Sequence, residues 1–156
     1  MKVLTAPETL IIQSPSIFLA GSIDQDKADN WQKRVIQAFS DFSGTLLNPR
    51  RASWNAEWEQ SIHHPAFREQ VEWELDALEK ADKILLYFDP QSLAPISLLE
   101  LGLFARSQKI YVCCPDGYWR KGNVDIICNR YEIPQYPNLE DLVSALTQHL
   151  TPNPST

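Results

Sequence analysis

Long apolar runs are what this sequence most plainly lacks. None approaches the roughly 20 residues that a membrane span needs, and the first residues hold no basic segment followed by an apolar core and a cleavage site. No membrane partner is expected, and a cytoplasmic location is. Cysteine is scarce: Cys113 and Cys114 are adjacent and Cys128 stands apart. That pattern makes neither an even disulfide framework nor a C-x-x-C metal or redox pair, so reduced structural thiols are expected. Basic residues are outnumbered, 14 Lys and Arg against 20 Asp and Glu, which leaves a net charge of −6. The balance argues against DNA or RNA as a polymer partner, while a small basic pocket for one phosphate survives it. Glycine numbers only five. The stretch from Gly21 to Lys27 lacks the second glycine and the Lys-Ser/Thr pair of a phosphate-binding P-loop. His63-His64 has no matched cysteine or carboxylate spacing, so solvated or capping histidines are expected there, and neither a metal nor a cofactor.

What remains is an ordinary soluble composition, 44% hydrophobic over 156 residues, enough for one domain with a sizeable core. That domain is expected over 1–150, with a disordered tail at 151–156 containing two prolines. Residues 1–14, with the short run Leu10-Ile11-Ile12, read as an extra edge strand or an ordered arm. Ser16 to Ser22 reads as a strand ending in a glycine turn, followed by a helix whose stripe is Trp31, Val35, Phe39 and Phe42. Gly44 to Leu47 is a second strand and Pro65 to Ala81 a second helix, striped by Phe67, Val71, Leu75 and Leu78. Lys83 to Phe88 is a near-continuous apolar run that fits a central parallel strand covered on both faces. Pro95 opens the next helix, Lys109 to Cys114 is a fourth strand, and Val124 to Tyr131 a short helix. Ile133 to Tyr136 reads as a last strand and Leu139 to Leu150 as a closing helix. The alternation predicts an α/β doubly wound sheet of about five parallel strands with helices on both faces.

Two carboxylates sit where the pattern calls for apolar side chains. Glu100 is the only formal charge between Asp89 and Arg106. At about 100° per residue it shares an arc with Ile96, Leu99, Leu103 and Phe104. Burying a carboxylate costs several kcal/mol unless donors compensate, and the helix N-terminus could supply them, so an ionised, partly shielded nucleophile is expected. The alternative is a glutamate that caps loop amides or pairs with Arg106. Glu74 falls on the buried arc of the preceding helix, beside Leu78 and Val71, whereas Glu69, Glu72, Asp76 and Glu79 point away. Two inward acids on neighbouring helices suggest a pair whose environments set different protonation states. A buried ion pair with Arg50 or Arg51 is the structural alternative for Glu74.

In open parallel sheets ligands bind outside the carboxyl ends of the strands. Gly21, Ser22 and Asp89 fall at such ends, as do the long connection after Leu47, with Arg50, Arg51 and Trp54, and the Trp119-Arg120-Asn123 loop. Aromatic faces stack on bases and guanidinium groups fork onto oxyanions, so both loops suit a flat or anionic ligand. A plain turn at Gly21, tryptophans packed at a subunit interface and a surface turn at 115–125 are the readings that compete.

The run Phe18-Leu19-Ala20-Gly21-Ser22-Ile23, then Asn48-Pro49-Arg50-Arg51, the Glu72-Trp73-Glu74 helix ending in Ala81-Asp82, and Leu99-Glu100-Leu101-Gly102 resemble the nucleoside 2-deoxyribosyltransferase family and its nucleotide N-hydrolase relatives. The resemblance spans roughly residues 16 to 147. It implies a flavodoxin-like sheet, a small-molecule nucleoside or nucleotide as ligand, and a homo-oligomer whose neighbouring subunits complete each other's sites. It also implies that Glu100 attacks the anomeric carbon to form a covalent glycosyl-enzyme while Glu74 holds the sugar or the base, with Phe18 and Ser97 among the substrate-binding residues. The chain departs from the family pattern where Asp24 stands in place of a basic residue, where Ala94 stands in a loop without its glycines, and where Glu74 replaces the more usual aspartate. A 5′-phosphate would then have to be met by Arg50, Arg51 or Arg120. Two other readings remain open: a glycohydrolase acting on NAD or ADP-ribose, and a non-catalytic nucleotide-binding or sensing module.

Overall fold

A computed structural model describes residues 1–23 and 30–150. Asp24, with the rest of 24–29, and the 151–156 tail lie outside the described residues. The chain runs through β1 (Lys2–Thr5), β2 (Ser16–Gly21), α1 (Trp31–Ala38), β3 (Thr45–Asn48), α2 (Pro65–Lys80), β4 (Lys83–Tyr87), α3 (Pro95–Phe104), β5 (Ile110–Cys113), α4 (Lys121–Arg130), β6 (Gln135–Tyr136) and α5 (Leu139–Leu150). The six strands are all parallel in the order β1-β3-β2-β4-β5-β6, the flavodoxin-like doubly wound arrangement with one further strand at the β3 edge. That added strand is Lys2–Thr5 rather than the apolar run after it; Leu10 and Ile12 instead pack against the core from the arm that follows.

Each sheet face has its own core, which is why the central strands carry almost no polar residue. On one face α2, α3 and α4 set Trp73, Ala77, Leu78, Leu101, Phe104 and Val124 against Phe18, Ala20, Ile84, Leu86 and Val112. On the other, α1 and α5 set Trp31, Val35, Leu142 and Leu146 against Ile17, Leu19, Leu85 and Tyr111. Leu85 is completely buried, and taking a side chain of that size out of water contributes about 2 kcal/mol. Cys113, Cys114 and Cys128 are buried free thiols, and burial pushes them up to about 12, 11 and 12.

Two helices present a different face from the one their periodicity indicates. In α3 the side toward the sheet is Ser97, Leu101 and Phe104, whereas Ile96, Leu99 and Leu103 are 58%, 62% and 59% exposed. The helix is apolar nearly all round, so the position of the stripe does not decide which side docks. In α2 the buried residues are Gln70, Trp73, Ala77 and Leu78, and Leu75 turns outward. The α2 N-terminus is capped by His64, whose Nδ1 accepts from the Phe67 N–H at 3.2 Å, with Pro65 in the first turn. Helix α4 begins at Lys121, so Asn123 lies on an exposed helical turn rather than in the loop.

At the amino ends of the central strands, Asp82 ties β2 to β4. Its Oδ2 accepts from Ser14 Oγ at 2.8 Å, from the Ser16 N–H at 2.8 Å and from Ser16 Oγ at 3.0 Å. Burial by itself pushes this carboxyl up, but the hydrogen bonds from Ser14 and Ser16, helped by the Lys109 charge, outweigh it and hold it below the usual range. Asp82→Ala is expected to lower the unfolding free energy by about 2 kcal/mol, read by urea denaturation, and to leave ligand affinity at the opposite end of the sheet unchanged. A loss of affinity with unaltered stability would contradict this assignment.

Candidate active site

The carboxyl ends of β2 and β4 are knitted together by short polar contacts. Gly21 adopts φ +152°, and a Cβ there would lie 2.4 Å from the Tyr87 carbonyl oxygen and 2.7 Å from the Trp31 ring. The close approach that requires glycine is thus to the chain's own β4 and α1. Ser22 is buried: its N–H donates to the Tyr87 carbonyl at 3.2 Å and its Oγ accepts from the Asp89 N–H at 3.1 Å. Asp89 turns its Oδ1 to the Gln91 N–H at 2.8 Å, closing the turn that leads toward α3. Ala94, just before α3, holds a left-handed φ of 44° and gives the helix no side-chain cap.

Glu74 and Glu100 face one another's field between α2 and α3. Burial raises the Glu74 carboxyl to about 7, with a hydrogen bond from Gln70 partly offsetting the rise. Burial and the Glu74 charge together raise Glu100 to about 8. Among the described residues no donor reaches the Glu100 carboxyl, so the expectation of an ionised glutamate stabilised by the helix N-terminus is corrected: with no ligand bound, Glu100 retains its proton at neutral pH. Glu74 has no arginine partner either. Its Oε1 accepts from Gln70 Nε2 at 2.8 Å, and the same nitrogen donates to the Pro49 carbonyl at 2.8 Å.

The two arginines after β3 part company. The Arg50 guanidinium donates to Gln32 Oε1 at 3.3 Å, at the start of α1. Arg51 turns outward to Glu69 at 2.8 Å and lies over the Trp58 ring at 5.2 Å. Trp54 joins that outer cluster, 5.0 Å from Trp58 and 6.3 Å from Phe67 between ring centroids. Trp119 and Tyr118 both donate to the Leu93 carbonyl, at 3.0 and 2.8 Å, which fastens the loop after β5 to the loop before α3. The Arg120 guanidinium lies 4.2 Å from the Trp119 ring centroid. Ser97 is buried in the first turn of α3, while Phe18 is completely buried in the core beside Trp73. The structure therefore gathers Gly21, Ser22, Arg50, Glu74, Asp89, Ser97 and Glu100 with the Trp119-Arg120 loop at one end of the sheet. Arg51 and Trp54 sit in the cluster with Trp58, Glu69 and Phe67, Asn123 on an exposed turn of α4, and Phe18 inside the core.

Sequence reasoning passed over Gln32, Gln70 and Ser92. All three are buried, and each keeps one polar atom without a partner among the described residues: Gln32 Nε2, Gln70 Oε1 and Ser92 Oγ. Buried polar groups are nearly always satisfied, so three orphans around one end of the sheet mark it as built for something polar. The available signal was the four-residue step from Gln70 to Glu74, which puts both on one face of α2. Among the described residues no group of three or more His, Cys, Asp or Glu side chains could hold a metal ion, and no helix is long and apolar enough to cross a membrane.

A carboxyl raised on folding stabilises the native chain fully only below its unfolded value of 4.5, and that contribution is lost as pH rises through about 8. Glu100→Gln is accordingly expected to melt at a higher temperature than the wild type near pH 9, with the gap closing near pH 4. Equal melting temperatures at both ends of that range would overturn the burial account.

The family model described as nucleoside 2-deoxyribosyltransferase-like matches residues 14–118, about two thirds of the chain, a span that contains both glutamates, Gln70 and Arg50. No curated protein matches the chain. On the strength of that match, the chain belongs to the nucleoside 2-deoxyribosyltransferase-like family.

Proposed function

We propose that this protein cleaves or transfers the N-glycosidic bond of a nucleoside or nucleotide, ribo- or deoxyribo-, through a covalent glycosyl-enzyme on Glu100. Family membership supports a nucleoside- or nucleotide-modifying activity in general terms. The observation that carries the finer reading is the pair Glu74 and Glu100: two carboxyls in one desolvated place, of which, among the described residues, only Glu74 is held by a donor. Such a pair resists losing both protons at neutral pH, and its working state has one proton between the two groups.

In the ligand-free chain that proton sits on Glu100; on substrate binding it passes to Glu74, and ionised Glu100 attacks the anomeric carbon as the bond to the base nitrogen breaks. The bond's electron pair leaves on the base, which takes the proton of Glu74. In the second half, water or another base gives up a proton to Glu74 and attacks the same carbon, releasing Glu100. Arg50 is the arginine for an anionic group such as a 5′-phosphate, because Arg51 is already neutralised by Glu69. The apolar stripe Ile96, Leu99 and Leu103, exposed on the helix that carries Glu100, supports a homo-oligomer.

Chromatography of ribo- and deoxyribonucleosides, their 5′-monophosphates and NAD, each with and without a second free base, tests the reading. Base release is expected, and Glu100→Gln is expected to lower it by about 10³-fold or more. Incorporation of the added base identifies a transferase, and its absence a hydrolase. A panel with no turnover at all sinks the proposal.

The value of kcat/KM should peak between about 7 and about 8, where one of the two protons is held. Glu74→Gln removes the group whose proton is lost on the alkaline side, so the falling limb is expected to disappear from the residual activity. A falling limb that stays in place would show that the two groups do not act as a pair. By light scattering the chain of 17.9 kDa is expected at twice that mass or more, and Leu99→Lys with Leu103→Lys is expected to return it to the monomer. A monomeric wild type would remove the oligomer from the proposal.

A further inference from the structure

We propose that Gln70 is a positioning residue that fixes which oxygen of Glu74 carries the proton delivered to the leaving base. The inference rests on the assignment of Glu74 and Glu100 to glycosidic-bond cleavage and adds a residue to it.

The geometry begins at the end of β3. Asn48 Oδ1 accepts the Arg50 N–H at 3.0 Å, and the Arg50 guanidinium reaches Gln32 Oε1, so the Pro49 carbonyl between them is fixed in a small turn. A backbone carbonyl can only accept. The end of the Gln70 side chain that meets it must be the amide nitrogen, 2.8 Å away. The same nitrogen's second N–H points to Glu74 Oε1, also at 2.8 Å. Turning the amide over would set its oxygen against the Pro49 carbonyl oxygen, a repulsive contact of two acceptors at a buried position. Gln70 is 3% exposed, and its own oxygen has no partner among the described residues, so the two donated bonds are what hold it.

The consequence falls on Glu74. An oxygen that always faces a donor serves as the carbonyl oxygen of the acid, so the hydroxyl belongs on Oε2. Gln70 thus presents Glu74 as an acid with a defined proton site. It does so for only one member of the pair, since Glu100 receives no comparable bond among the described residues. The same bond offsets part of the effect of burial, so in the ligand-free chain Glu74 is the first of the two to ionise, and it holds the proton once substrate binding has moved it from Glu100.

A role exercised through an acid has a signature that a purely structural role lacks. Nucleosides of ordinary purines need a proton on the departing base, whereas a 7-methylated purine nucleoside already carries positive charge and leaves without one. Gln70→Met is expected to lower kcat on the ordinary nucleoside by about 30-fold with KM altered less than about threefold, and to lower it by less than about threefold on the 7-methylated one. Glu74→Gln should give the same contrast, and the double variant should be no worse than Glu74→Gln alone. Gln70→Asn keeps a buried amide but falls a methylene short of Glu74; it is expected to show the same contrast and serves if the Met variant does not fold. Equal losses on both substrates in a folded Gln70 variant would overturn the inference, while a wild type that still cleaves both, with Glu100→Gln inactive, would leave the proposed function standing. Failure of the wild type to cleave either purine nucleoside would overturn the inference alone, and failure across the whole panel would overturn both.

Discussion

Desolvating two carboxyl groups side by side is the constraint around which the rest of this structure is arranged. A single ionised glutamate at either position could be tolerated with a few donors, but two negative charges in one poorly hydrated place repel each other and each lacks water. The folded chain resolves the conflict by retaining protons. That choice costs stability as the pH rises, and it leaves a cluster whose charge changes in the range where a cell operates. A site built only for packing has no need of either carboxyl.

The doubly wound sheet divides its labour along the strand direction. At the amino ends the polar contacts are closed on themselves: Asp82 Oδ2 accepts from Ser14 and Ser16, and the Asp82 N–H donates back to Ser16 Oγ. At the carboxyl ends the contacts form an open chain from Gln32 through Arg50 and the Pro49 carbonyl to Gln70 and Glu74, and both glutamines keep a polar atom without a partner among the described residues. The same backbone regularity that makes the core rigid leaves strand ends and following loops at one end, where side chains from helices on both faces can meet.

Much of this was legible in the amino-acid sequence, and the failures have physical reasons. The last helix runs from Leu139 to Leu150 as its pattern indicates, because an amphipathic segment with one apolar stripe has one way to dock. Helix α3 defeats the same reasoning: with leucine or isoleucine on nearly every side, its periodicity cannot tell the sheet from the outside, and the stripe read as inward faces out. The inward turn of Glu74 could be read from the wheel, but not its partner. The arginines after β3 looked like the natural counter-ions; Arg51 instead pairs with Glu69, near the start of the same helix, and the bond to Glu74 comes from an amide. Gln70 in isolation reads as an unremarkable helical glutamine. Its importance comes from a carbonyl 21 residues away, which is a fact of tertiary structure alone.

The margins of the sheet carry a last consequence. One edge is β1, four residues long, begun by Lys2 and followed closely by Pro7; the other is β6, two residues between Pro134 and Pro137. Short strands offer few free N–H groups and proline offers none, so both borders are poor templates for another strand. Sheet extension, the route to fibrils and to strand-swapped pairs, is thereby disfavoured. The broad apolar surface that a second copy would find is instead on a helix, the one that holds Glu100.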